Sequence, residues 1–208
     1  MVNLNKIELT KKGQSVNLEK KNAGIGQINV NLNWNQQIQK PSGGFLSSLF
    51  GSKNNSIDLD LGCLFELKNG DKGCVQALGN SFGNYREWPY IELDGDDRTG
   101  SVSNGENLRI NGDFLTEIKR IVIFSFIYQG VTNWAQADGV VTLSYEGGQD
   151  IVVPLDEHRS DMGMCAIAMI ENVNDETFKV ERLVEYFNGH EKLDRAYGWG
   201  MNWTPGRK

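Results

Sequence analysis

Residues 27–34, QINVNLNW, alternate without a break. Ile28, Val30, Leu32 and Trp34 fall on one side, and Asn29, Asn31 and Asn33 on the other. A period of two is the repeat of an extended strand, whose successive side chains point to opposite faces, whereas a helix would scatter these residues around its axis. The stretch therefore predicts a half-buried strand, and a strand needs partners. SIDLDLGCLFEL offers one, with Ile57, Leu59 and Leu61 on one face and Asp58 and Asp60 on the other. KRIVIFSFIYQG is an apolar run bounded by charge and glycine, as expected of a central strand covered on both faces. GVVTLSYEGGQDIVVPL reads as a hairpin turning at Gly147 and Gly148. MCAIAMIENV and FKVERLVEYF read as a second hairpin, joined through Asn174, Asp175 and Glu176. Helical periodicity is scarce. A short helix is expected over 190–197, and another helical turn in DFLTEIKR.

Many short strands with glycine-rich connections imply an all-β sandwich or barrel. The chain has 208 residues, five Trp and nine Phe, enough to bury the core of one domain of this length. No repeat or boundary divides it, so a single domain over 1–208 is expected. One segment stands apart. Residues 36–55, QQIQKPSGGFLSSLFGSKNN, are longer than an ordinary strand connection. Phe45, Leu46, Leu49 and Phe50 would share one face of a short helix there. That face is expected to fold back onto the sandwich, the alternative being an exposed docking patch for a partner or a membrane.

The formal net charge of −6 argues against broad phosphate-backbone binding, which needs a basic face, so no nucleic-acid partner is expected. It suits a cation. Three cysteines without a C-x-x-C pair point to a reducing cytoplasm. The first residues are polar and charged, and no run approaches a membrane span.

The negative charge gathers in YIELDGDDRTGSVSNGENLRING, residues 90–112, which reads as a glycine-rich loop. Asp94, Gly95, Asp96 and Asp97 form one group, and Asn104, Gly105, Glu106 and Asn107 another. Crowded carboxylates repel one another unless water or a cation separates them. Calcium takes several oxygen ligands from carboxylates, amides and backbone carbonyls, and glycine lets the backbone turn its carbonyls inward. Asp58 and Asp60, on one face of their strand, add two more carboxylates. An EF-hand frame beginning at Glu92 fails, because Asp97 stands where glycine is needed and Ser103 where the closing Glu is needed. Zinc is disfavoured with only His158 and His190 available and no paired thiols, and magnesium needs fewer protein oxygens. Composition alone leaves a calcium site and a solvated acidic loop both open.

Several stretches, taken in order, resemble one family. IELTKKGQSVNLEKK is similar to the opening strand pair of the TerD family of tellurium-resistance and stress-response proteins. INVNLNWN resembles its V-x-V-G-L-G-W-D segment, with Asn35 in place of Asp, and IDLDLGCLFEL its D-L-D-A-S strand. GDDRTG resembles G-D-N-L-T-G, and NGENLRI stands where the family has G-D-D-E. The closing DRAYGW also fits, and the likeness is stronger to the TerA-like branch. It spans nearly the whole chain except 36–55. The resemblance implies a two-sheet β-sandwich with short helices and acidic calcium-binding loops at one end. Carried over position by position, the ligands would be Asp58, Asp60, Asp94, Asp96, Asp97, Glu106 and Asn107. Glu106 and Asn107 replace a paired Asp, which puts one of two calcium sites in doubt.

Other features carry less. Cys165 with His158 could form a nucleophile and base, but Cys165 lies in an apolar strand where a buried thiol is the default. His190 is expected at the surface at a helix end. Trp88, Trp134, Trp199 and Trp203 are expected as core or loop anchors, Trp134 near the acidic end, and the aromatic tail GWGMNWTPGRK either packs on the sheet or stays loose. The expected function is non-enzymatic calcium binding in the cytoplasm, with calcium-ordered loops shaping a surface for other proteins of a tellurium-resistance or stress system. The alternatives are a calcium-dependent module docking at the inner membrane surface, and a hydrolase built on Cys165 and His158.

Overall fold

The computed structural model describes residues 6–20, 24–34, 58–95, 105–129, 134–155 and 161–206. Its strands are β1 (Lys6–Glu8), β2 (Ser15–Asn17), β3 (Gln27–Asn33), β4 (Asp58–Leu67), β5 (Lys72–Gln76), β6 (Gly83–Asn84), β7 (Ile91–Leu93), β8 (Glu106–Asn111), β9 (Ile118–Gln129), β10 (Gly139–Tyr145), β11 (Asp150–Leu155), β12 (Met164–Val173) and β13 (Thr177–Phe187). Two helices accompany them, α1 (Trp134–Ala137) and α2 (His190–Tyr197).

The strands form two sheets. The first runs β1-β11-β10-β3-β8-β7-β6 and the second β2-β13-β12-β9-β4-β5. The molecule is an all-β two-sheet sandwich, as the alternating pattern requires. Ile28, Val30 and Leu32 of β3 meet Leu59, Leu61, Cys63 and Phe65 of β4 and Ile121 and Ile123 of β9 between the sheets. The two sheets differ in their outer faces. β3 keeps a solvated outer side, which accounts for its asparagines. β4 and β9 are covered on both sides: Leu64, Val122, Phe124 and Phe126 pack in a second cluster with Leu193 of α2 and Trp199 of the tail. Their continuous apolar runs follow from that double burial.

The tail is fixed by polar contacts. The buried Asp194 carboxylate accepts from the Gly200 and Met201 amides at 2.7 and 2.9 Å and from the Trp203 indole at 2.9 Å. Arg120 stacks on Trp199, its guanidinium 3.9 Å from the ring centroid, and donates to the carbonyls of Tyr197 and Gly198 at the end of α2. A cation satisfying the last carbonyls of a helix is favourable there.

The structure departs from the sequence reading in several places. Residues 90–112 are not one loop, because the whole of β7 and β8 lies within them. DFLTEIKR supplies only the end of a 3-10 turn, Gly112–Phe114, before β9 begins at Ile118. The two opening strands do not pair with each other: β1 joins β11 in the first sheet and β2 joins β13 in the second. His190 heads α2 as expected but is half-buried rather than exposed; its ring packs edge-on against Phe124 and Phe126. Trp134 and Trp199 are buried anchors, whereas Trp88 is 54% exposed. The 36–55 segment, with Phe45, Leu46, Leu49 and Phe50, lies outside the described residues. Among the described residues no helix is long and apolar enough to cross a membrane.

Candidate functional site

The chain leaves β3, β7, β9 and β11 and enters β4, β8, β10 and β12 at one end of the sandwich. The registers fix this: Leu32 pairs with Glu106, Asn33 with Val140, Leu155 with Gly139, and Asp58 with Gln129. Most of the predicted ligands belong to this end.

Glu106 opens β8 and turns inward, buried to 3% exposure. Its carboxylate spans to the other sheet, where Oε2 accepts from the Leu61 amide of β4 at 2.6 Å. Gly105 makes that entry possible. Its φ is +66°, and a Cβ there would lie 2.0 Å from the Leu32 carbonyl, so only glycine fits. Asp60, next to Leu61, is fully buried. It shares the strand parity of Leu64 and pairs in register with Phe126, which places it on the outer side of the second sheet. Asp58 shares that parity and is half-buried at the start of β4. Carboxylates at such depth require donors or a cation, since burying an uncompensated charge is costly.

Asp94 and Asn107 are directed elsewhere. The Asp94 amide donates to the Asn107 carbonyl at 2.9 Å, so the two are backbone neighbours. The Asp94 carboxylate, however, lies 2.7 Å from Arg109 Nε, a close contact without hydrogen-bond alignment. Arg109 also donates to Glu92 at 3.1 Å. Asn107 faces outward on β8, and its side-chain carbonyl accepts from Asn31 and Asn29 at 3.0 and 3.4 Å. The structure thus ties Glu106 to the Leu61 amide, buries Asp60 beside Leu61 on the outer side of β4 with Asp58 at the strand end, and sets Asp94 and Asn107 on the solvated face of the first sheet. Asp96 and Asp97 lie outside the described residues. Among the described residues no group of three or more His, Cys, Asp or Glu side chains is placed to hold a metal ion. The donors of Asp58, Asp60 and Glu106 are all oxygens, the set a hard cation such as calcium takes.

Sequence reasoning missed Arg109 and the role of Gly105. The signal for Arg109 was present: a lone cation two residues past Asn107, at the alternation that puts both on one face.

Cys165 is fully buried on β12, its thiol 3.6 Å from the Ala166 carbonyl, and His158 lies outside the described residues. His190 contacts Gln76 Oε1 through Nε2 at 2.7 Å and leans on Trp203 at 4.9 Å between ring centroids. Burial among these rings pushes its pKa down to about 4.

No family model matches the chain. The tellurium resistance protein TerA of an Alcaligenes species is 48% identical to it over 207 residues, which are 100% of this chain and 60% of that protein. The tellurium resistance protein TerX of Serratia marcescens is 24% identical over 192 residues, 92% of this chain and 67% of that protein. The chain therefore spans 60 to 67% of the length of these relatives. The crystal structure of a homologue of telluride resistance protein (TerD) from Streptomyces coelicolor A3(2) superposes with a TM-score of 0.53 at 14% identity, covering 82% of this chain and 95% of that one. A crystal structure of a protein of unknown function gives 0.56 at 12% identity, covering 80% and 92%. At these identities the structural likeness speaks for the fold.

Proposed function

Because this chain belongs to the TerD-like tellurium-resistance family, we propose that it is a calcium-binding protein of the tellurium-resistance and stress response, acting by binding rather than catalysis. The observation that carries the reading is the burial of Glu106, whose carboxylate accepts from the Leu61 amide, and of the neighbouring Asp60, at the end of the sandwich where β4 and β8 begin. Calcium would be held at this end of the sandwich by carboxylates drawn from Asp58, Asp60 and Glu106, completed by Asp96 and Asp97 of the acidic segment that leads into β8. Bound there, it supplies positive charge that offsets the crowded carboxylates. Glu106 has a second role, tying the two sheets together at this end through Leu61. Asp94 and Asn107 support the neighbouring strand entry and are not ligands in this reading. The ordered end then offers a surface to other proteins of the same resistance system, in the cytoplasm.

Calorimetric titration of chelator-treated protein with calcium, repeated with magnesium as competitor, tests the proposal. Saturable heat that magnesium does not displace is expected. No heat of binding, with an unchanged melting temperature in millimolar calcium, would sink it.

A further inference from the structure

The solvated face of the first sheet carries a feature that the fold does not require. β3 is a central strand, flanked by β10 and β8. It sets Asn29, Asn31 and Asn33 in a row on its outward side. Asparagine is depleted in strands, because its short amide competes for local backbone groups and packs poorly on a pleated surface. Three in a row on a central strand run against local preference, and such departures concentrate at functional positions. These amides are also ordered, since Asn29 and Asn31 both donate to Asn107.

Beside them lies an open cavity of about 490 Å³, lined by Asn31, Asn33, Trp34, Asp138, Val140 and Thr142. Asp138 holds a left-handed backbone, φ +47°. That conformation is unfavourable for most residues and tolerated by Asp.

We propose that this cavity binds a neutral polyhydroxylated ligand, a saccharide residue or a polyol. A hydroxyl group both donates and accepts, and so does a carboxamide. Asn31, Asn33 and Thr142 therefore match a row of hydroxyls, and the Asp138 carboxylate accepts from two neighbouring ones. Val140 gives the C–H face of a sugar ring a small apolar patch in a lining that is otherwise mostly polar, since the Trp34 ring is buried on the inner side of β3. Among the described residues no Lys or Arg lines the cavity, which disfavours an anion, and the single carboxylate they bring to it is too few for calcium. The proposal does not depend on the calcium reading.

The test is titration of 15N-labelled protein, in chelator, with sorbitol and with neutral oligomers of glucose, mannose and N-acetylglucosamine. At least one of these is expected to shift the side-chain amides of Asn31 and Asn33 saturably. Asn33→Ala combined with Thr142→Val should weaken that binding about tenfold, the loss expected from about 1.4 kcal/mol. Asp138→Asn, which keeps a residue suited to the left-handed backbone, should weaken it several-fold. Ser144→Ala, farther along the outward face of β10, should leave it alone. Three results would overturn the proposal: no shift from any sugar at tens of millimolar, binding that these variants leave unchanged, or the same amides responding to calcium and not to sugar.

Discussion

Glu106 and Asn107 are adjacent in sequence and face opposite sides of β8. One reaches into the sandwich and the other lies in the asparagine row. The charge content of this stretch was legible in the sequence; the division was not, because reading the stretch as a loop hid the strand alternation that sorts it. The division can be tested. Glu106→Ala leaves the Leu61 amide without its carboxylate acceptor and should cost about 1–3 kcal/mol of stability in urea unfolding. Glu106→Gln keeps an acceptor there, so it should retain most of that stability while losing calcium affinity by calorimetry. Asn107→Ala should leave calcium affinity intact. His190 makes a separate prediction. Its folded pKa of about 4 lies below the ordinary 6.5, so the unfolded chain takes up the proton first as pH falls. The resulting loss of stability begins near pH 6.5, is complete near pH 4, and is at most on the order of 3 kcal/mol. Glu66 adds a loss with the same sign in more acidic solution. Burial raises its pKa, but Lys119 and Arg120 outweigh that and hold it below the usual 4.5, so its contribution fades as pH falls through the folded value. Urea midpoints at pH 7 and pH 4.5 should differ less in His190→Gln than in the unaltered protein.

Elements with a long, regular pattern were readable: β3, β4, β9, the two hairpins and α2. Short ones were not. β5, KGCVQ, holds a glycine whose absent side chain admits Phe65, since a Cβ on Gly73 would lie 2.4 Å from that ring. Its pattern is therefore set by the residue opposite it on β4, Phe65, and not by its own alternation. α1 has four residues, too few to show a period. The tail was legible in composition but not in placement, because its position depends on one carboxylate. Asp194→Ala would leave the Gly200 and Met201 amides and the Trp203 indole without their acceptor. A loss of about 3 kcal/mol is expected from such charge-assisted bonds. Trp203 should also become more solvent-exposed, seen as red-shifted fluorescence against a Trp203→Phe control. Unshifted emission with full stability would mean that packing on the second sheet alone secures the tail.

At the scale of the molecule, the sandwich separates two kinds of surface. The second sheet hides its outer face under α2 and the tail, while the first leaves its outer face to water. The acidic connections collect at one end, in a chain whose formal net charge is −6. A global charge effect and a coordinated ion would both make calcium stabilising, and they separate by position. Asp96 and Asp97 belong to the acidic segment leading into β8, whereas Asp113 is exposed in the turn leaving that strand at the other end. If calcium acts by screening, neutralising either location changes its effect in proportion to the charge removed. If it is coordinated, Asp96→Asn with Asp97→Asn should reduce affinity far more than Asp113→Asn. The thermal readout follows by mass action: an ion that binds only the folded state adds about 2.7 kcal/mol at a hundred times its dissociation constant. Chelated protein should therefore melt several degrees lower than protein in millimolar calcium. The double Asn variant should lose most of that difference, and Asp113→Asn should keep it. Losses in the two-to-one ratio of the charges removed would identify diffuse charge, and no loss in either would place the ion away from Asp96 and Asp97.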